Sequence, residues 1–274
     1  MLIETLSTFP HMYDSVMGES MMKRAQEKGI LEFRAHDLRD WTHDRHRTTD
    51  DDPYGGGAGL VMKCAPIFEA VEAILGKEFV EAKLAAAPPQ GESQQRSSAA
   101  PQIVFLAPQG RPFDDAYADK LAAADHLLFI CGHYEGIDER VYTLADHVIS
   151  LGDYVLTSGE LASMVVIDAA VRKLPGVLGA AEGPVDESFT SGLLEYPQYT
   201  RPADFRGMRV PEVLTSGNHA AIARWRREQS LARTAAARPD LIAAAEAAGR
   251  LTPADQKFLK LLEPAPTGAA EGVS

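Results

Sequence analysis

Two glycines, Gly132 and Gly152, carry the first chemical suggestion in this chain. Each follows a short apolar run: His126-Leu127-Leu128-Phe129-Ile130 leads through Cys131 to Gly132, and Val148-Ile149-Ser150-Leu151 leads to Gly152. Runs of that length between polar residues read as buried strands, although the pattern alone also fits a buried helix segment. Glycine at a strand end lets the backbone approach a ligand closely, because no Cβ stands in the way. In open α/β sheets ligands bind outside the carboxyl ends of the strands. Tight turns alone would also call for glycine at both places.

A second suggestion comes from charge. The chain is acidic, with a formal net charge of −12 over 274 residues, which by itself argues against a nucleic-acid partner. Its distribution points the other way. From residue 201 to 238 there are eight arginines (201, 206, 209, 224, 226, 227, 233 and 238), no lysine and three acids (Asp204, Glu212, Glu228). Arginine without lysine suits planar, bidentate contacts to phosphate, though a solvated helix face carries charge as well.

Other chemistries are excluded by spacing. Gly55, Gly57 and Gly59 lie in the loop WTHDRHRTTDDDPYGGGAGLVM, with no Gly-Lys-Ser/Thr after them and Leu at position 60. They form neither a P-loop nor a dinucleotide fingerprint. His43 and His46 lack an HExxH context and a nearby cysteine, so no metal site is assigned. Cys64 and Cys131 make no CxxC pair, which suits a reducing, cytoplasmic setting. The first residues have no basic stretch of a signal peptide, and no run reaches the ~18 apolar residues of a membrane span.

The elements that must position these groups alternate. Strands are expected at Leu2 to Leu6, Ile30 to Phe33, Gln102 to Leu106, around Leu127 and around Val148. Helices are expected at Tyr13 to Lys28, Pro66 to Leu75, Asp114 to Ala124, around Glu139 and from Glu160 to Val171. Ala107 to Gly110 reads as a turn. Alternation of this kind implies βαβ units and a mostly parallel sheet. Residues 85–101 read as a flexible surface insertion and 179–192 as an interdomain linker. Beyond the linker the pattern is helical. Asn218 caps a helix to about Ala236, with Ile222, Trp225 and Ala232 on its inner face, Arg226 and Arg233 on one flank, and Arg224 and Arg227 on the other. Further helices run from Pro239 to Ala248 and from a capping-box-like start at Thr252-Pro253 with Asp255. The tail after Glu263 reads as disordered.

The blocks HDRHRTTDDDPYGGGAGLVM, LAPQGRPFD, CGHYEGIDERV, LGDYVLTSGELASM, PGVLG, ESF, YTRP and VPEVLTSGNHAAIARWRREQSLART occur in this order. With them the chain, from about Leu2 to Leu262, resembles the bacterial tRNA (guanine-37-N1)-methyltransferase family of the SPOUT knotted class. The resemblance implies an α/β domain with a deep trefoil knot over residues 1–178, a linker over 179–192, a small all-helical tRNA-binding domain over 193–263, and a disordered tail over 264–274. It implies S-adenosylmethionine as methyl donor, held by Leu106, Pro108, Gly132, Tyr134, Glu135, Gly136, Leu151, Gly152, Asp153, Tyr154, Val155 and Leu156. It also implies Mg²⁺ assistance, a homodimer whose active sites draw on both chains, and a tRNA anticodon arm as partner.

Several of these roles have a physical basis in the residues. Backbone groups near Gly132 and from Leu151 to Leu156 can meet adenine edges. Tyr134, Glu135 and Asp153 put acceptors near a cationic sulfonium. Arg224, Arg226, Arg227 and Arg233 would position RNA through phosphates without reading sequence. An anticodon loop exposes the Watson–Crick edge of a guanine, which methylation at N1 requires.

The family usually shows Glu-Asp-Ser before an aromatic, with the Asp as base. Here the order is Asp186-Glu187-Ser188-Phe189. Ungapped counting from Pro175-Gly176 and from Tyr199-Thr200-Arg201-Pro202 puts Glu187 at the base position, with Asp186 as the fallback. Arg172 matches the family's essential arginine and would donate to the purine O6. Two alternatives stay open: a SPOUT ribose 2′-O-methyltransferase, and a non-catalytic RNA-binding protein.

Overall fold

The computed structural model describes residues 1–85, 99–178 and 187–262. Most of the 85–101 insertion, residues 179–186 of the linker and the tail lie outside them. The chain divides into two compact units, 1–183 and 184–274, and each is described by itself.

The first unit is built on a five-stranded parallel sheet. Strand β1 (Leu2–Ser7) leads through a 3-10 turn (Pro10–Tyr13) into two short helices, α1 (Asp14–Met17) and α2 (Ser20–Glu27), then β2 (Glu32–Asp37). The single helix expected from Tyr13 to Lys28 is therefore broken. The break falls at Gly18, the C-cap of α1, and at Ser20, whose φ is +47°. A 3-10 turn (Leu38–Trp41) opens the long polar loop. That loop holds only a two-residue antiparallel ribbon, β3 (Asp50–Asp51) against β4 (Val61–Met62). Helices α3 (Cys64–Leu75) and α4 (Lys77–Ala85) follow, then β5 (Gln102–Pro112), α5 (Asp115–Ala122), β6 (His126–Ile130), a 3-10 turn (Glu139–Leu144), β7 (His147–Ser150) and α6 (Gly159–Val171).

The strand order is β2-β1-β6-β5-β7. Alternation along the strands splits the core into two layers. Ile3, Val104, Leu127, Phe129 and Ile149 pack on one face with Val166, Ile167, Ala170 and Val171 of α6. Leu6, Ile103, Phe105, Leu128 and Ile130 pack on the other with Ile67, Ala70 and Val71 of α3. Period-2 side-chain alternation forces this division. Lys83, buried on α4, is ion-paired with Asp146 and donates to the carbonyl of Leu144 at 3.0 Å, which fastens α4 beside the start of β7.

The turn expected from Ala107 to Gly110 does not end β5: the strand continues past it. Leu106 and Arg111 both pair with Ile149, so the residues between them bulge out of the ladder and pairing then resumes to Pro112.

The second unit contains a short antiparallel ribbon, β8 (Asp204–Phe205) with β9 (Met208–Arg209), so among the described residues it is not wholly helical. After it come α7 (Glu212–Thr215), α8 (His219–Ala237), α9 (Pro239–Ala247) and α10 (Pro253–Leu262). Asn218 caps α8 by accepting from Ala221 N at 3.1 Å. Thr252 and Asp255 close a reciprocal capping box at α10: Thr252 N donates to Asp255 Oδ2 (2.9 Å) and Asp255 N to Thr252 Oγ1 (3.2 Å). A small core of Leu193, Leu231 and Ala245, with Ile242, Leu251, Phe258 and Leu259 against it, holds these helices together.

Candidate active site

The ends of β5, β6 and β7 converge because the three strands are neighbours and parallel. Cys131 N still donates to Leu6 O (3.0 Å) as β6 leaves the sheet. The next residue, Gly132, is then clasped by the start of α6: Gly159 N donates to Gly132 O at 2.7 Å, and His133 bridges Ser158. That approach needs Gly159, since a Cβ there would lie 2.7 Å from Gly132 N. Tyr134 (φ +60°) and Gly136 (φ +138°) turn the loop back. Gly152 (φ +150°) does the same after β7, with its N–H near Ser150 Oγ at 3.3 Å.

These loops, with the bulged part of β5, enclose a cleft of about 390 Å³. Every residue assigned above to the cofactor lines it except Asp153, which is exposed beside it. The volume lies in the usual range for small-molecule sites. The lining joins apolar walls (Leu106, Ile149, Leu151, Leu156) to polar groups the sequence reading passed over, among them Gln109, His133, Tyr142 and Ser158. His133 Nδ1 and Ser158 Oγ are buried with no hydrogen-bond partner among the described residues. Buried polar atoms are seldom left in that state, so both ask for a ligand or water. Burial raises the Tyr142 phenol above its usual range and keeps it protonated. The only signal for His133 in the sequence was its place between Gly132 and Tyr134.

Behind the cleft runs a buried polar chain. Tyr13 Oη lies 2.6 Å from Ser163 Oγ and 3.0 Å from Cys131 Sγ, and Ser7 Oγ donates to Glu160 Oε1 at 2.5 Å. Burial, with the Glu160 carboxylate nearby, pushes the Cys131 thiol up to about 12. Burial raises the Tyr13 phenol too.

The catalytic candidates do not all gather at this cleft. Arg172 is the C-cap of α6, whereas Gly159, which lines the cleft, begins that helix. A rise of 1.5 Å per residue over 13 residues separates them by ~20 Å. Glu187 belongs to the second unit, and Asp186 lies outside the described residues.

On α8 the four candidate arginines have different surroundings. Arg224 is exposed. Arg226 lays its guanidinium 4.8 Å from the Tyr196 ring centre, and Arg233 Nη1 donates to Glu195 O at 3.1 Å. Arg227 instead makes a bidentate pair with Asp255 (3.0 and 2.9 Å), a carboxylate that is almost fully buried. It was expected on an outer flank of the helix. The residues α8 buries are Ser230, Leu231 and Thr234, and Arg227 lies three, four and seven positions before them, on the same stripe. The expected inner residues Ile222, Trp225 and Ala232 are only half-buried.

Comparison with known proteins agrees along the chain's length. A family profile described as tRNA (Guanine-1)-methyltransferase TrmD matches residues 1–244. A protein of Limosilactobacillus reuteri named tRNA (guanine-N(1)-)-methyltransferase is 51% identical over 246 residues, 90% of this chain and 91% of its own. Proteins of the same name from Symbiobacterium thermophilum (51%, covering 95% of this chain and 97% of its own) and Geotalea uraniireducens (49%, 96% and 97%) are similar over nearly their whole lengths.

Proposed function

This chain belongs to the tRNA (guanine-1)-methyltransferase family, and from that premise we propose how its own residues serve the reaction. The protein is an enzyme that transfers a methyl group to N1 of a guanine in tRNA. The finer reading is that the guanine is number 37, in the anticodon loop, and that the donor is S-adenosylmethionine bound in the strand-end cleft. The observation that carries this is the cleft itself: loops from three parallel strands close on one volume, and two buried polar atoms of its lining residues have no partner among the described residues. Leu106, Leu151 and Leu156 would hold the adenine, and backbone groups around Gly132 and Gly152 would meet its edges. The bound donor supplies an electrophilic methyl group on a sulfonium, and Tyr134 and Glu135 offer acceptors to that charge. A deep trefoil knot formed by the same loops is part of this reading, on the strength of the family.

A guanine N1 proton is far less acidic than a carboxylic acid, so its loss must be helped. Glu187 is our choice for the acceptor, with Asp186 as fallback, and Arg172 for the donor to O6 as negative charge develops there. Arg172 at the far end of α6 cannot serve the cleft that Gly159 lines in its own chain, which supports a homodimer with sites drawn from both chains. Exposed apolar side chains support it as well: Phe9, Met12 and Val16 in and around the first 3-10 turn, and Leu161 and Val165, one helical turn apart on α6, the helix that contacts that turn. Exposed apolar surface of this kind suits an interface.

Residues 193–263 would grip the anticodon arm, with 179–192 as the link to the cofactor domain 1–178. A cytoplasmic setting fits this substrate and the free cysteines. No helix among the described residues is long and apolar enough to cross a membrane. Mg²⁺ would act as an assisting ion only. Among the described residues no group of three or more His, Cys, Asp or Glu is placed to hold a metal.

The test uses two tRNA transcripts that differ only at position 37, incubated with methyl-labelled donor and digested to nucleosides. Label in N1-methylguanosine from the guanine-37 transcript alone is expected. Label in a 2′-O-methyl nucleoside would make the protein a ribose methyltransferase. Binding of tRNA without any label would make it a non-catalytic RNA-binding protein.

A further inference from the structure

The glycine-rich loop, residues 55–59, has no part in the reading above, yet it is tied to the cleft. Glu135 N donates to Leu60 O (3.1 Å), Met62 N to Gly136 O (3.0 Å) and Asp138 N to Met62 O (3.0 Å). His133 N also donates to Met62 Sδ at 3.2 Å. The chain from Leu60 to Met62 therefore lies along the 133–138 loop as a backing strip. Where the strip meets the cleft stands Gly59 (φ +82°), and the side chain of Glu135 fills the space a side chain there would need. A Cβ on Gly59 would fall 2.4 Å from Glu135 Cγ, 2.5 Å from Oε1 and 2.8 Å from Cδ. Its neighbours differ. A Cβ at Gly55 or Gly56 would meet nothing within 4 Å, and one at Gly57 would make only an ordinary contact with Pro53 at 3.7 Å.

We infer that Gly59 is a positioning residue for Glu135: by lacking a side chain it leaves the recess in which the Glu135 carboxylate is held at the mouth of the cleft. Glu135 is exposed, and an exposed glutamate without such a recess samples many rotamers. The recess lowers that freedom before any ligand arrives, which is how preorganisation favours binding. The inference rests on the reading of Glu135 as a residue facing the methyl donor.

A double-mutant cycle tests it. Gly59→Ala is made in the natural chain and in Glu135→Ala, and both pairs are measured by single-turnover methyl transfer with enzyme in excess and by calorimetric binding of S-adenosylmethionine. Any alanine at positive φ strains the loop, but that strain is the same in both backgrounds. Displacement of Glu135 is felt only where Glu135 is present. Gly59→Ala should therefore cost about tenfold or more in the natural chain and less than about twofold in Glu135→Ala. Gly57→Ala, a strain control, should cost the same factor in both. Glu135→Asp, at an exposed site where folding is not in question, shortens the arm by one methylene. It should lose about as much as Gly59→Ala does. Equal losses from Gly59→Ala in the two backgrounds would overturn the inference, as would full retention of rate and affinity by Glu135→Asp. A natural chain that binds the donor but transfers no methyl group would overturn the proposed function instead, and the binding arm of the cycle would still decide the role of Gly59.

Discussion

The cleft of the first unit and the arginine face of the second demand opposite things of a sequence. At the cleft, placement is dictated by backbone. Three adjacent parallel strands must end on the same side, so whatever follows them is brought together. Side-chain type matters less there than the capacity to turn, which explains Gly136, Gly152 and the positive φ of Tyr134. On α8, placement is dictated by one angle around a helix. A shift of one residue is about 100°, and it separates Arg226, stacked on Tyr196 near the surface, from Arg227, locked to a buried carboxylate. Backbone-determined sites are robust to error in reading a pattern, and helix-face sites are not.

The largest test of that contrast is at the cleft. Gly152→Val replaces a residue at φ +150° and places a Cβ 2.8 Å from the Tyr154 ring. Binding of S-adenosylmethionine by calorimetry should weaken at least a hundredfold while circular dichroism stays native. Normal binding would show that backbone shape at this turn does not govern the cleft.

The next test belongs to the second unit. At saturating tRNA and donor, Glu187→Gln should lower kcat about a hundredfold, the usual scale of general-base loss, and Asp186→Asn should not. The reverse result would move the base one residue earlier. No effect from either would remove the base from this segment.

Acid should then separate the two units by pH window. His147, buried between Tyr117 and Gln102, is held down to about 4, first by burial and then by the charge of Lys120. An unfolded histidine titrates near 6.5, so as pH falls from about 6.5 to about 4 the unfolded chain takes up a proton that the folded one refuses. Stability is lost across that window, by up to ~3 kcal/mol. Asp255 has the opposite origin. Hydrogen bonds from Arg227 hold it down to about 2, so its contribution persists above about 4 and is lost only as pH falls from there toward 2. Hydrogen exchange at stepped pH should loosen amides around His147 before those joining α8 to α10. His147→Gln should abolish the first loss. A single acid transition in both units would break the comparison.

The smallest effects distinguish the arginines. Arg227→Ala should destabilise the second unit by ~1–2 kcal/mol, since it leaves the buried Asp255 carboxylate with the Thr252 N–H but without its counter-charge, while Arg227 itself is partly solvated. It should leave the salt dependence of tRNA binding unchanged. Arg224→Ala should do the reverse, with a native melting curve and a salt slope shallower by about one unit. Identical behaviour of the two variants would mean that the ion pair does not set Arg227 apart.

Much of the fold was legible from hydrophobic runs alone. β1, β6 and β7 are short apolar strands, and α3, α5 and α6 begin or end within two residues of expectation because capping and turn residues mark them. Asp114 does cap α5, accepting from Tyr117 N at 2.8 Å. What escaped notice depends on partners distant in sequence. Nothing local reveals that β5 resumes pairing at Arg111, because that needs Ile149 opposite. The ribbon of β8 and β9 is only two residues per strand, too short for an alternating pattern. Arg227 was misplaced because its partner lies 28 residues on. At the cleft, Asp153 was grouped with its lining neighbours, yet adjacency in a loop does not fix the side a residue faces.

Cys131 gains a meaning from its address. It is the residue before Gly132, at the end of the strand that leads into the cleft, and a thiolate is among the strongest nucleophiles a protein can offer. On the reading proposed above, the electrophilic methyl donor would sit against the neighbour of a competing methyl acceptor. The thiol is fully buried, in contact with Tyr13 and held in its protonated form far above neutral pH. A protonated, buried sulfur is a poor nucleophile, so on the same reading the enclosure around Tyr13 and Ser163 would spare the enzyme from alkylating itself.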